Sequence, residues 1–184
     1  MSQGFGEYDA LVLKLDSNGN CSENGGQMDD SQAPLSKILS KYTIEKHQRN
    51  LLDNTVDPSL RFVTSESGIN NIIIPKKARE KMKSQTIVDV EERWRGADRE
   101  VNIYRYYFDC KDDAVLFPCL DIIDFDGRFP GWSKTAEIGD KTCWMGLKVV
   151  CFVKGKVLVI VEVKSQTTDR AYTEKIARYL EKKL

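Results

Sequence analysis

Two stretches near the C-terminus decide the fold: Cys143–Val153 (CWMGLKVVCFV) and Lys156–Ser165 (KVLVIVEVKS). Lys154-Gly155 between them supplies a turn, because glycine takes positive φ without steric cost. Read with period two, Val157, Val159, Val161 and Val163 share one face of the second strand, and Leu158 and Ile160 the other. Apolar residues on both faces mark a strand covered on both sides, near the centre of its sheet. Downstream, Tyr172, Ile176, Leu180 and Leu184 recur every four residues as a helical stripe. Thr168 or Asp169 can cap this helix, and Lys182 and Lys183 fall in the last turn, where the helix dipole favours cations. The expectation is an α+β fold: a twisted, mainly antiparallel sheet with helices packed on it, and a C-terminal β-hairpin followed by a helix.

Working outward, Thr86–Trp94 and Glu100–Phe108 read as two longer strands, with Tyr104, Tyr106 and Phe108 on one face. Leu60–Thr64 and Asn71–Ile74 read as shorter strands around a Ser65–Gly68 turn. Pro75 suits the first position of a helix running to about Lys83, since its missing N–H is not needed there. A short helix is expected between Asp112 and Ile122. Leu35, Ile38, Leu39 and Tyr42 lie on one helical face, and a second short helix is expected around Ile44–Leu52. Tyr8–Leu15 reads as a strand, followed by turn chemistry at Asp16-Ser-Asn-Gly-Asn20 and a polar, Gly/Asn/Ser-rich stretch. The organisation expected is an extended arm or linker over residues 1–33 and one α+β domain over 34–184.

Twenty-eight Lys plus Arg against twenty-eight Asp plus Glu leave 184 residues with no net charge. That balance removes the general electrostatic case for a dedicated DNA binder or a membrane-surface protein. The longest apolar stretch, Val157–Val161, is far too short to span a bilayer. Met1-Ser-Gln-Gly-Phe-Gly-Glu shows no basic region followed by an apolar one, so no export signal is read there. Five cysteines (21, 110, 119, 143 and 151) include no Cys-x-x-Cys pair, and His47 is the only histidine. A zinc or haem site is therefore not expected, nor any other cofactor. A Cys110–Cys119 disulfide is left open.

Residues 5–20, FGEYDALVLKLDSNGN, resemble one copy of the bacterial β-propeller repeat of the SBBP type, found on secreted or surface proteins. The resemblance implies a piece of an extracytoplasmic protein that follows a propeller, with the other blades elsewhere. A second resemblance runs through Ile138-Gly-Asp140, Phe152–Val161 and Ile176–Leu184. It is similar to uncharacterised extracytoplasmic domains that end in a Gly-Asp, a valine-rich hairpin and a closing helix, which implies a binding or structural module.

Glu162-Val-Lys164 resembles the Glu-x-Lys half of the PD-(D/E)xK nuclease motif. The resemblance implies a Mg²⁺ held by Asp140 and Glu162, with Lys164 helping to position the nucleophilic water. A hairpin running through 143–165 would bring Asp140 toward Glu162. The simpler reading is a solvated strand end with an i,i+2 charge pair, and Gly139 stands where the motif has proline. Asp121, Asp124 and Asp126 could ligate Ca²⁺, though without the glutamate an EF-hand needs, and turns are the simpler reading. Lys76, Lys77, Arg79, Lys81 and Lys83 make a basic stretch that suits phosphates or a solvated helix face equally. His47 reads as a surface or packing residue, because no partner ligands accompany it. The loop Arg128-Phe-Pro-Gly-Trp132 offers two large aromatics, either as contacts or folded back as a lid on the core.

The function expected from sequence is a non-catalytic binding or structural domain of a cell-surface or secreted protein. Its partner is a macromolecule, a protein rather than a nucleic acid, met through Arg128, Phe129 and Trp132. The alternatives are the Mg²⁺-dependent nuclease of Asp140, Glu162 and Lys164, and an assembly subunit that self-associates through Tyr8–Leu15.

Overall fold

The computed structural model describes residue 44 and residues 46–120, 129–167 and 170–184. Several expectations lie outside the described residues: the Tyr8–Leu15 strand and its turn, the Leu35–Tyr42 helical face, the Asp121–Asp126 run, Arg128, and the Thr168 or Asp169 cap. Within them the chain runs β1 (Arg61–Ile69), α1 (Lys76–Arg79), β2 (Ile87–Arg95), β3 (Arg99–Phe108), α2 (Lys111–Leu116), a 3₁₀ turn (Phe117–Leu120), β4 (Lys141–Met145), β5 (Val149–Lys154), β6 (Val157–Ser165) and α3 (Arg170–Lys183). The strands form a six-stranded sheet in the order β1-β2-β3-β6-β5-β4. Each neighbouring pair is antiparallel. The fold is α+β, and β6 is one of the two central strands.

Both faces of β6 are covered, as its run of valines requires. On one face Val159, Val161 and Val163 pack with Val101, Ile103, Val150, Phe152 and the stripe Ile176, Ala177 and Leu180 of α3, all essentially inaccessible. Leu52, Val56 and Leu60, from the irregular segment before β1, complete this helix-side core. On the other face Leu158 and Ile160 pack with Ile87, Phe108, Ala114, Phe117, Cys143, Cys151 and Val153. The start of α3 is fastened by Arg170, which pairs with Glu137 at 2.5 Å and lies 4.3 Å from the Trp144 ring centroid.

Several boundaries differ from the sequence reading, and the helix expected around Ile44–Leu52 does not extend past His47. Only one strand forms where two were expected, Arg61–Ile69, and Asn71–Ile74 is irregular: Ser65, Glu66, Ser67 and Gly68 continue the strand, pairing with β2 from Glu92 to Asp89. The reversal comes later, at Asn70, whose φ is 52° and whose side-chain oxygen accepts the Ile87 N–H at 2.9 Å. Asn tolerates this left-handed conformation and supplies the acceptor, so it closes the turn without glycine. Gly68 instead allows a close approach, since a Cβ there would sit 1.9 Å from the Asn71 amide nitrogen.

Secondly, 143–153 is not one strand. Gly146, at φ 70°, reverses the chain so that β4 folds back on β5, with Lys141 opposite Val153. Thirdly, the helix after Pro75 stops at Arg79. The Cys110–Cys119 disulfide does not form: Cys119 keeps its thiol, which lies 3.7 Å from the Val115 carbonyl. No described helix is long and apolar enough to cross a membrane.

Ile176 is fully buried between α3 and the central strands. Ile176→Ala should therefore lower unfolding free energy by about 3 kcal/mol, from lost burial plus the residual cavity. Urea denaturation at fixed pH reads this as a fall in midpoint with the slope unchanged.

Candidate functional site: a cation-rimmed cavity

The site is built on a charge pair inside the helix-side core. Glu92 on β2 and Arg105 on β3 are 0% and 1% exposed, and a guanidinium nitrogen of Arg105 donates to Glu92 Oε1. Arg105 also donates to the Tyr107 hydroxyl at 2.8 Å and to the Arg49 carbonyl at 2.9 Å. Glu92 in turn accepts the Leu51 N–H at 3.1 Å and the Trp94 indole N–H at 3.2 Å. A buried charge is tolerated only when paired and hydrogen-bonded, and here both conditions are met largely by one loop's backbone. The pair thus clamps the segment around Arg49 and Leu51 onto the sheet. Farther along that segment, Asp53 accepts the Tyr179 hydroxyl and Asp57 accepts the Tyr172 hydroxyl at 2.7 Å, tying it to α3.

Between the clamped segment, the end of β3, the start of β6 and the end of α3 lies a cavity of about 390 Å³. Lys46, Arg49, Lys156 and Lys183 stand around it, and Leu51, Phe108 and Val157 supply apolar wall. Among the described residues that line it there is no Asp or Glu. Lys183 is shared with Asp53, 3.8 Å away. The His47 ring stacks on Tyr107, with centroids 3.9 Å apart and planes at 21°. Its pKa is pushed below the ordinary histidine value, first by burial and then by the positive charges of Lys46 and Arg105. Burial is the larger cause, and the two neighbouring cations add to it.

The residues singled out from sequence lie elsewhere. Phe129 and Trp132 meet edge to face, 5.1 Å between centroids, and pack against the core opposite α3. The Trp132 indole donates to the Val115 carbonyl at 3.0 Å. Glu162 and Lys164 stay together at 3.4 Å, and Glu162 accepts the Asn102 amide at 2.9 Å. Asp140 does not join them. It receives the Gly155 N–H at 3.0 Å and pairs with Lys111 at 3.5 Å, at the Val153 end of β5, whereas Glu162 faces Val149 at the other end. Four strand positions separate those levels, ~13 Å along the strand at ~3.3 Å per residue. The convergence expected of one long hairpin fails because the Gly146 turn carries Asp140 back to the opposite end. Among the described residues no group of three or more His, Cys, Asp or Glu is placed to hold a metal ion.

Two of the cysteines, Cys143 and Cys151, are poorly placed for thiol chemistry. Cys143 and Cys151 face each other across β4 and β5, both buried. Burial raises the Cys143 thiol to about 11 and Cys151 well above its usual value, so neither is a thiolate near neutral pH. Of the basic stretch 76–83, Lys83 pairs with Asp112 at 3.3 Å and Arg79 donates to the Gln85 carbonyl at 2.9 Å; Lys76 and Lys77 are exposed.

Sequence reasoning missed Lys46, Arg49, Lys156 and Lys183 as a group. The one local signal was the basic run through Lys46, His47 and Arg49; the other two cations come from a turn and a helix end more than a hundred residues away. Comparison with protein families, with curated proteins and with solved structures gives no match to this chain.

Two outcomes follow from the clamp. Glu92→Met strands a buried cation and should cost about 3–5 kcal/mol, while adding Arg105→Leu should restore most of it. Chemical denaturation of the two singles and the double gives the cycle. His47 has a folded pKa below its unfolded one, so its contribution is fully present above about pH 6.5 and is lost as pH falls through the folded value. His47→Phe, which keeps a ring on Tyr107, should lose less stability than the wild type between about pH 6.5 and 5 in a pH series of melts.

Proposed function

We propose that this chain is a non-catalytic binding domain that receives an acidic segment of a protein partner at the cation-rimmed cavity. The observation that carries this reading is the convergence of Lys46, Arg49, Lys156 and Lys183 on one concavity in a chain whose overall charge is zero. A balanced chain gains nothing by clustering like charges unless something negative meets them, because the cluster itself is repulsive. The backbone beneath the rim is held by the sheet and by the Glu92–Arg105 clamp, so only the cation side chains are ordered when a partner arrives, which limits the entropy lost on binding. The contact surface thereby moves from the Arg128–Trp132 loop, whose two described aromatics are half-covered by the core, to the opposite face of the sheet.

The host is a cell-surface or secreted protein in this reading, supported by the resemblance of residues 5–20 to a β-propeller repeat.

Retention on immobilised poly-L-glutamate tests the binding surface. The wild type should elute at higher salt than Arg49→Glu/Lys156→Glu, while Lys175→Glu, on the exposed side of α3, should elute with the wild type. Equal elution of all three would remove the proposal. Steep salt dependence is expected, since rim charges near water are screened over ~10 Å at 0.1 M salt.

A further inference from the structure

The chemistry of the rim is more specific than positive charge. Arg49 offers a planar fork of donors, which matches the paired oxygens of an oxyanion, whereas lysines act as adjustable point charges around it. Arg105 is not available for this: its own fork is engaged by Glu92, Tyr107 and the Arg49 carbonyl. The Arg49 side chain is exposed, and only its backbone oxygen serves the clamp. Lys183 is partly answered by Asp53, which leaves Lys46, Arg49 and Lys156 as the principal charges around the cavity with no acidic partner among the described residues. Three cations exceed what one carboxylate can neutralise. A phosphate monoester carries about −1.5 to −2 charge near neutral pH on three strong acceptor oxygens. The apolar wall of Leu51, Phe108 and Val157 suits the carbon side of an ester, which a free inorganic ion lacks.

We propose that the cavity is the seat of a phosphate monoester, its phosphoryl group held by Lys46, Arg49 and Lys156 and its ester carbon against Leu51 and Val157. This rests on the reading of the cavity as the binding surface and narrows its ligand to a phosphorylated side chain of the partner. His47 lies in the same wall, and a dianion seated there offsets the repulsion from Lys46 and Arg105 that adds to burial in disfavouring its imidazolium. Binding therefore favours protonation of that ring, and the ring reports occupancy.

The chain's single histidine makes the measurement direct. Its imidazole C–H resonances are followed against pH in full-length protein with O-phosphoserine, inorganic phosphate or acetate added at matched ionic strength. O-phosphoserine should raise the His47 pKa by roughly one pH unit, the size expected for a new opposite charge a few ångströms away. Acetate should leave it where chloride does. The shift should vanish in Arg49→Gln/Lys156→Gln, a change that spares the clamp, and should weaken without vanishing in Arg49→Lys, which keeps the charge and loses the fork. An unchanged pKa in O-phosphoserine, or a shift that persists in the double glutamine variant, overturns the proposal. Saturation by inorganic phosphate at lower concentration than O-phosphoserine overturns the ester assignment. If poly-L-glutamate retention depends on Arg49 and Lys156 while O-phosphoserine leaves His47 unmoved, the acidic-segment reading stands and the phosphoryl one falls. Loss of both removes the cavity as a binding surface altogether.

Discussion

The buried pair of Glu92 and Arg105 is the constraint around which the helix-side half of this domain is arranged. A carboxylate and a guanidinium withdrawn from water need every hydrogen bond they can find. They find them in the backbone at Arg49 and Leu51, in Trp94 and in Tyr107. The irregular segment before β1 is consequently held at a defined height above the sheet. Leu52, Val56 and Leu60 follow from it and drop into the core beside α3. Without a polar anchor, a stretch with no strand among its described residues would have little to fix its path. The cavity is a by-product of the same arrangement: its floor includes Arg105, and its near wall is the clamped segment itself.

This division of labour separates two kinds of charge. The central pair is inaccessible and both terminal guanidinium nitrogens of Arg105 are engaged, so it organises the chain and offers nothing to a ligand. The rim cations stand in solvent on flexible stems, contribute little to folding stability, and remain open to a partner. Exposed ion pairs elsewhere, such as Arg178 with Glu174 at 2.7 Å or Arg99 with Asp98 at 2.8 Å, belong to neither class and serve local geometry.

How much of this was legible in the sequence follows from the range of the interactions. Alternation in Val157–Val163 and the four-residue stripe of α3 are local signals, and they located the central strand, its two covered faces and the closing helix. Ser65-Glu-Ser-Gly68 misled because turn-forming residues also suit a polar edge strand, where one side of the backbone faces water. Gly146 was hidden inside an otherwise continuous apolar run, yet it redirects Asp140 and dissolves the apparent nuclease triad. Glu92 and Arg105 were invisible as a pair: each looks like an ordinary strand charge until cross-strand register places them diagonally on the buried face. The rim was equally unreadable, because its members meet only after the sheet, the loop and the helix end have assembled.

The two borders of the sheet carry a further implication. On β1 the register slips between Phe62 and Thr64, a bulge that twists the strand, and Glu66 stands directly opposite Glu91. On β4 the outward carbonyl of Thr142 already accepts the Ser133 N–H at 2.8 Å. Among the described residues neither border is an unbroken flat ladder, the form that most readily accepts an incoming strand. Such interruptions disfavour edge-to-edge pairing between copies of the sheet.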